Sequence, residues 1–121
     1  MTTGCNDARS WYLENIKIMN KMNNFTNNYG LGFMQYCMLE MISKSTFETP
    51  SHLSEELQMA NTSISRAIKK MNSKGLIERL VSEFDDTRRI KITITKHGEQ
   101  VLQKIDKDLN EEFLKYFNEF V

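Results

Sequence analysis

Between Thr62 and Gly75 the chain carries a pattern that constrains everything around it. At 100° per residue, with Ile64 as zero, Ala67 falls at about 300°, Ile68 at about 40° and Met71 at about 340°. These four residues form one apolar stripe, which predicts a helix from Thr62 to about Lys74 with that face buried. Thr62, Arg66, Lys69 and Ser73 fall between about 140° and 200°, on the opposite face. Ser63, Ser65 and Lys70 flank them, so the outer face carries short hydroxyls and cations and no acid. Gly75 is suited to stop the helix.

The flanking segments predict its neighbours. Thr49-Pro50 reads as a helix start, because threonine caps and proline suits the first helical position. A short helix over residues 50–59 places Leu53 and Leu57 inward and Glu55 and Glu56 toward solvent. Ala60-Asn61 breaks it, and Asn61 is the expected cap of the next helix. After Gly75, residues 76–81 and 89–94 read as two strands around a polar tip at 83–88. The second strand alternates, with Ile90, Ile92 and Ile94 inward and Arg89, Lys91 and Thr93 outward. Thr95 then caps a last helix running to Val121, whose Leu102, Ile105, Leu109, Phe113, Tyr116 and Phe120 recur at helical spacing. Upstream, residues 8–27 form a first helix with Tyr12, Ile16, Met19 and Met22 on one stripe. Asn27-Asn28-Tyr29-Gly30 ends it, and an apolar second helix follows from Phe33 to Ser43.

The fold class is therefore mainly α with a small β-hairpin wing. It is a winged helix-turn-helix in a single domain, 1–121. Residues 8–45 supply N-terminal helices, 50–75 the helix-turn-helix, 76–95 the wing and 96–121 a C-terminal helix. The long terminal helices exceed what a small core needs, and the apolar end 116–121 makes sense if a partner covers it.

The 121 residues are 40% apolar and 26% charged, which fits a folded chain and excludes disorder. No apolar run approaches the roughly 18 residues of a membrane span, and Met1–Asp7 has neither the basic nor the apolar region of a signal peptide. Cys5 and Cys37 fit free thiols in a reducing, cytoplasmic setting, with oxidant sensing by Cys5 left open. His52 and His97 lack metal-ligand spacing and read as surface residues. No phosphate loop, nucleophile elbow or zinc-protease motif occurs, so neither an enzyme, a cofactor nor a metal is expected.

Sixteen basic and sixteen acidic residues cancel over the whole chain, but not locally. From Asn61 to Lys96 nine lysines and arginines face four acids, a net of +5, which leaves −5 elsewhere. A helix entering the major groove needs donors and small side chains outward, since acids would meet phosphate. A hairpin beside it reaches the backbone or minor groove, where arginine is favoured.

Three segments carry a family resemblance: Leu53–Leu57, Asn61–Met71 and Lys74–Arg79. A fourth, Asp86–Gly98, contains Asp86-Thr-Arg88 and Ile94-Thr95-Lys96-His97-Gly98. Over about 46 residues the chain resembles the MarR-type winged-helix transcriptional regulators. The resemblance implies a homodimer on a near-palindromic double-stranded DNA operator, most simply as a repressor. It implies contacts from Thr62, Ser63, Ser65, Arg66, Lys69 and Lys70, with Arg88 in the minor groove, Asp86 orienting it and Arg89 on a phosphate. It also implies a small-molecule effector of unidentified kind, for which Trp11, Tyr12, Phe25, Tyr29, Phe33 and Tyr36 are either pocket walls or plain core. Family members usually carry a further C-terminal helix, so either this dimer relies on the first and last helices or the chain is truncated. The competing function is a winged helix used for protein–protein contact without specific DNA binding.

Overall fold

The computed structural model describes residues 7–81 and 90–120. Five helices and two strands follow one another: α1 (Ala8–Asn27), α2 (Phe33–Lys44), α3 (Pro50–Leu57), α4 (Asn61–Ser73), β1 (Ile77–Val81), β2 (Ile90–Ile94) and α5 (Lys96–Phe120). The chain divides into two compact units, one of residues 1–34 with 103–121 and one of residues 35–102.

In the first unit, Asp7 caps α1 by accepting the Ser10 N–H at 2.8 Å. The helix closes where Leu31 N–H reaches back to the Thr26 carbonyl. Thr26 is fully buried, its hydroxyl donating to the Met22 and Asn23 carbonyls. Asn23 spans the loop: its Oδ1 accepts the Phe33 N–H at 3.0 Å and so caps α2 from outside that helix. Phe25 and Tyr29 stack at a tilt, the Tyr29 hydroxyl donates to Asp108 on α5, and Lys104 lies 6.0 Å from the Tyr29 ring centre. The bond to Asp108 favours the neutral phenol and pushes the Tyr29 pKa up to about 12. The expected α1 stripe exists, but much of it faces solvent. Tyr12 and Met19 are 61% and 63% exposed, beside exposed Trp11 and Leu13. Along α5, Ile105 is buried and Leu109 half-buried. The side chains of Phe113, Tyr116 and Phe120, like Cys5, lie outside the described residues.

The second unit has its buried residues where the spacing placed them: Met38, Leu39, Ile42, Leu53, Ile64, Ile68, Met71, Ile92 and Leu102. The two strands pair antiparallel, Ile77 opposite Ile94 through Val81 opposite Ile90. Two features of the hairpin differ from expectation. β1 begins at Ile77 because the Leu76 N–H returns to the Met71 carbonyl; the Leu76 carbonyl still accepts the N–H of Thr95, its partner in the strand register. Inward-outward alternation in β2 is also muted, with only Ile92 fully buried. A third backbone segment explains this. Glu48 bridges to Ile92 on the free side of β2, through bonds of 2.8 and 2.7 Å, and Lys91 lies 4.7 Å over the Phe47 ring. β2 therefore has a backbone neighbour on each edge, and Lys91 is drawn against Phe47.

Candidate nucleic-acid interface

The α3–α4 turn is built from local chemistry. Thr49 caps α3, accepting the His52 N–H at 3.2 Å, and Pro50 occupies the first turn. α3 ends two residues short of the expected Met59 because Gln58 adopts the left-handed conformation, φ 51°. The Ser54 hydroxyl then donates to the Met59 carbonyl at 2.7 Å and closes the turn. Asn61 does not cap α4. Ala60 holds the extended cap position, with no side chain to accept a bond, and Asn61 is already helical.

α4 buries Ile64, Ile68 and Met71 and packs against α3 and β1. Its stop is the predicted one. Gly75 sits at φ +73°, its N–H returning to the Asn72 carbonyl while Leu76 N–H returns to Met71. Buried Leu76 completes that motif as its apolar partner. One hydroxyl then fastens the next turn: Thr95 Oγ1 donates to the Gly75 carbonyl at 2.6 Å and accepts the Gly98 N–H at 3.0 Å. Gly98 is buried tightly enough that a β-carbon there would lie 2.1 Å from the Leu76 carbonyl oxygen.

The opposite face of α4 is open. Thr62, Ser65, Arg66, Lys69 and Lys70 are exposed and Ser63 is half-buried. Among the described residues, no carboxylate pairs with Arg66, Lys69 or Lys70. The structure thus brings the six expected helix residues onto one acid-free, cationic surface. Asp86, Arg88 and Arg89 lie outside the described residues. Among the described residues there is no metal-binding cluster, and no helix is long and apolar enough to cross a membrane.

Residues 29–89 match the MarR family, the segment that holds α2, α3, α4 and β1. The chain belongs to the MarR family. It is 31% identical over 93 residues to the HTH-type transcriptional regulator PapX of Escherichia coli, covering 75% of this chain and 56% of PapX. It is 26% identical over 110 residues to the regulator SarZ of Staphylococcus aureus, covering 91% of this chain and 71% of SarZ. Among solved structures, the MepR–DNA complex of S. aureus superposes with a TM-score of 0.81 at 17% identity, covering 97% of this chain and 86% of MepR. The MarR family is one of transcriptional regulators rather than enzymes, and its winged helix-turn-helix is the fold seen here.

Sequence reasoning missed the Glu48–His52 pair. His52 is a surface histidine as expected, but its Nδ1 lies 2.5 Å from Oε1 of Glu48, a carboxylate only 4% exposed. The signal was present as an acid four residues before a histidine at a helix start.

Proposed function

We propose that this protein is a sequence-specific regulator of transcription that binds double-stranded DNA through α4. The observation that carries this reading is the acid-free outer face of α4, held outward by a buried Ile64–Ile68–Met71 stripe. Such a helix presents hydroxyls and cations to base edges and phosphates while its other face fixes its orientation. Thr62, Ser63, Ser65, Arg66, Lys69 and Lys70 are the contacts from α4. Arg88, with Asp86 orienting it, and Arg89 are those from the wing. The similarity in fold to MepR, whose structure was solved with DNA, supports the same reading.

The form that binds is a homodimer on a near-palindromic operator, acting as a repressor. Exposed Trp11, Tyr12, Leu13 and Met19 on α1 supply an apolar surface that a second copy would cover.

Fluorescence anisotropy with DNA from upstream of the protein's own gene tests this, beside a scrambled duplex and at two salt concentrations. Selective binding is expected, with log K falling by about 0.9 per phosphate neutralised as log salt rises. Arg66→Ala should cost about 1–3 kcal/mol if that residue reads a base. No binding to either duplex at low salt would redirect the assignment to a protein-contact winged helix.

A further inference from the structure

Among the described residues, Glu48 is the one buried charged group, and the DNA-binding reading gives it no task. Its position is unusual. Its backbone is bonded to Ile92 of β2 in both directions, and its Oε1 accepts the Thr49 N–H at 3.1 Å, ahead of α3. The same oxygen lies 2.5 Å from Nδ1 of His52, in the first turn of α3. The outer edge of that ring lies 3.5 Å from Glu56, and the imidazole is 52% exposed. One contact therefore joins the segment paired with β2 to the helix that packs against α4.

The charges around this ring are lopsided. Glu48 acts from the segment ahead of α3, and Glu55 and Glu56 act from α3 itself. α4 carries Arg66, Lys69 and Lys70, and β2 carries Lys91, but none of these four cations is paired with the imidazole. We propose that Glu48 and His52 form a pH-responsive clasp that tightens the helix-turn-helix unit on acidification and, with it, the grip on DNA.

The direction follows from the charge states. A protonated imidazole adds charge–charge attraction to its hydrogen bond with the Glu48 carboxylate, whereas a neutral one keeps the hydrogen bond alone. The hydrogen bond to Glu48 and then its charge hold the His52 pKa above the ordinary 6.5. A group whose folded value is raised adds stability in full below its unfolded value, about 6.5 for histidine. That stability is lost as pH rises through the folded value. The sensitive window therefore begins at about pH 6.5 and extends upward. The effect on DNA affinity rests on the function proposed above; the effects on titration and melting do not.

The test uses the full chain. The His52 ring signal is assigned by its loss in His52→Gln and titrated by NMR. The expected midpoint lies above that of an ordinary histidine and falls when Glu48 is changed to Gln. Thermal stability should rise as pH falls through the window, by more in the unsubstituted protein than in His52→Gln, whose exposed site leaves folding intact. Affinity for a bound duplex at constant salt should rise across the same window and stay flat in His52→Gln. An ordinary midpoint that Glu48→Gln does not move overturns the clasp, as does a melting profile with the same pH dependence in both chains. Equal pH dependence of DNA affinity in both overturns the link to DNA. If no duplex binds at any pH, the functional reading fails while titration and melting still decide the clasp.

Discussion

Replacing Gly98 by alanine sets two elementary effects against each other. Inside a helix, alanine is favoured over glycine by about 1 kcal/mol. Here the new methyl would lie 2.1 Å from the Leu76 carbonyl oxygen and 2.8 Å from Ile94 Cγ1. Relaxed carbon–oxygen contacts lie at about 3.3 Å or more, and a backbone oxygen cannot swing aside as a side-chain end can. The start of α5 must back away from Leu76, which pulls on the 3.0 Å bond from Thr95 N–H to that same oxygen. Overpacking costs about 1–3 kcal/mol and a weakened bond about 1. After the propensity gain, the expected loss is about 1–3 kcal/mol. Urea unfolding at fixed protein concentration measures it as a lower midpoint at unchanged slope. Gly75→Ala is the control, since a methyl there meets nothing within 4 Å and only the φ of +73° opposes it. It should lose about 1 kcal/mol, and Gly75→Asn less. A Gly98→Ala protein as stable as the parent would refute the close approach and show that propensity governs the site.

Other outcomes are as specific. Gln58→Gly should raise stability by about 1 kcal/mol, because Gln58 holds a left-handed conformation that glycine adopts freely; the same urea assay reads it. Asp108→Asn should lower the Tyr29 titration midpoint from its raised value near 12, followed by ultraviolet absorbance. Met19→Lys should shift the mass found by light scattering from two chains toward the 14.2 kDa of one, if α1 is the covered surface.

What the sequence disclosed were features with a strong period or a steric rule. The α4 stripe has only one way to be buried, so Ile64, Ile68 and Met71 lie inside and Arg66 and Lys69 outside. Thr49-Pro50, Gly75 and Thr95 act within a turn of themselves, and each does locally what its chemistry predicts. Asn61 was misplaced because capping depends on which residue turns extended, and either side of that boundary fits the pattern. The pairing of Glu48 with Ile92 was invisible because it joins segments distant in sequence through backbone groups, which carry no residue code. Burial of Glu48 follows from that bridge, and the contact with His52 comes with it. The cationic face of α4 was legible as a surface, whereas the six side chains on it become contacts only through DNA.

The Glu48–Ile92 bridge also has a topological meaning. It closes a ring of about 45 residues that contains α3, α4 and β1 entire. Ring closure costs entropy that grows slowly with length, about 0.6 kcal/mol per doubling, so lengthening the chain inside the ring weakens it little. A pairing this distant in sequence must meet the loop-closure cost before it is rewarded, which makes it slow to form. Loosening the joint should then hasten unfolding more than it slows folding. α4 is presented by a ring whose last seam is two backbone hydrogen bonds wide.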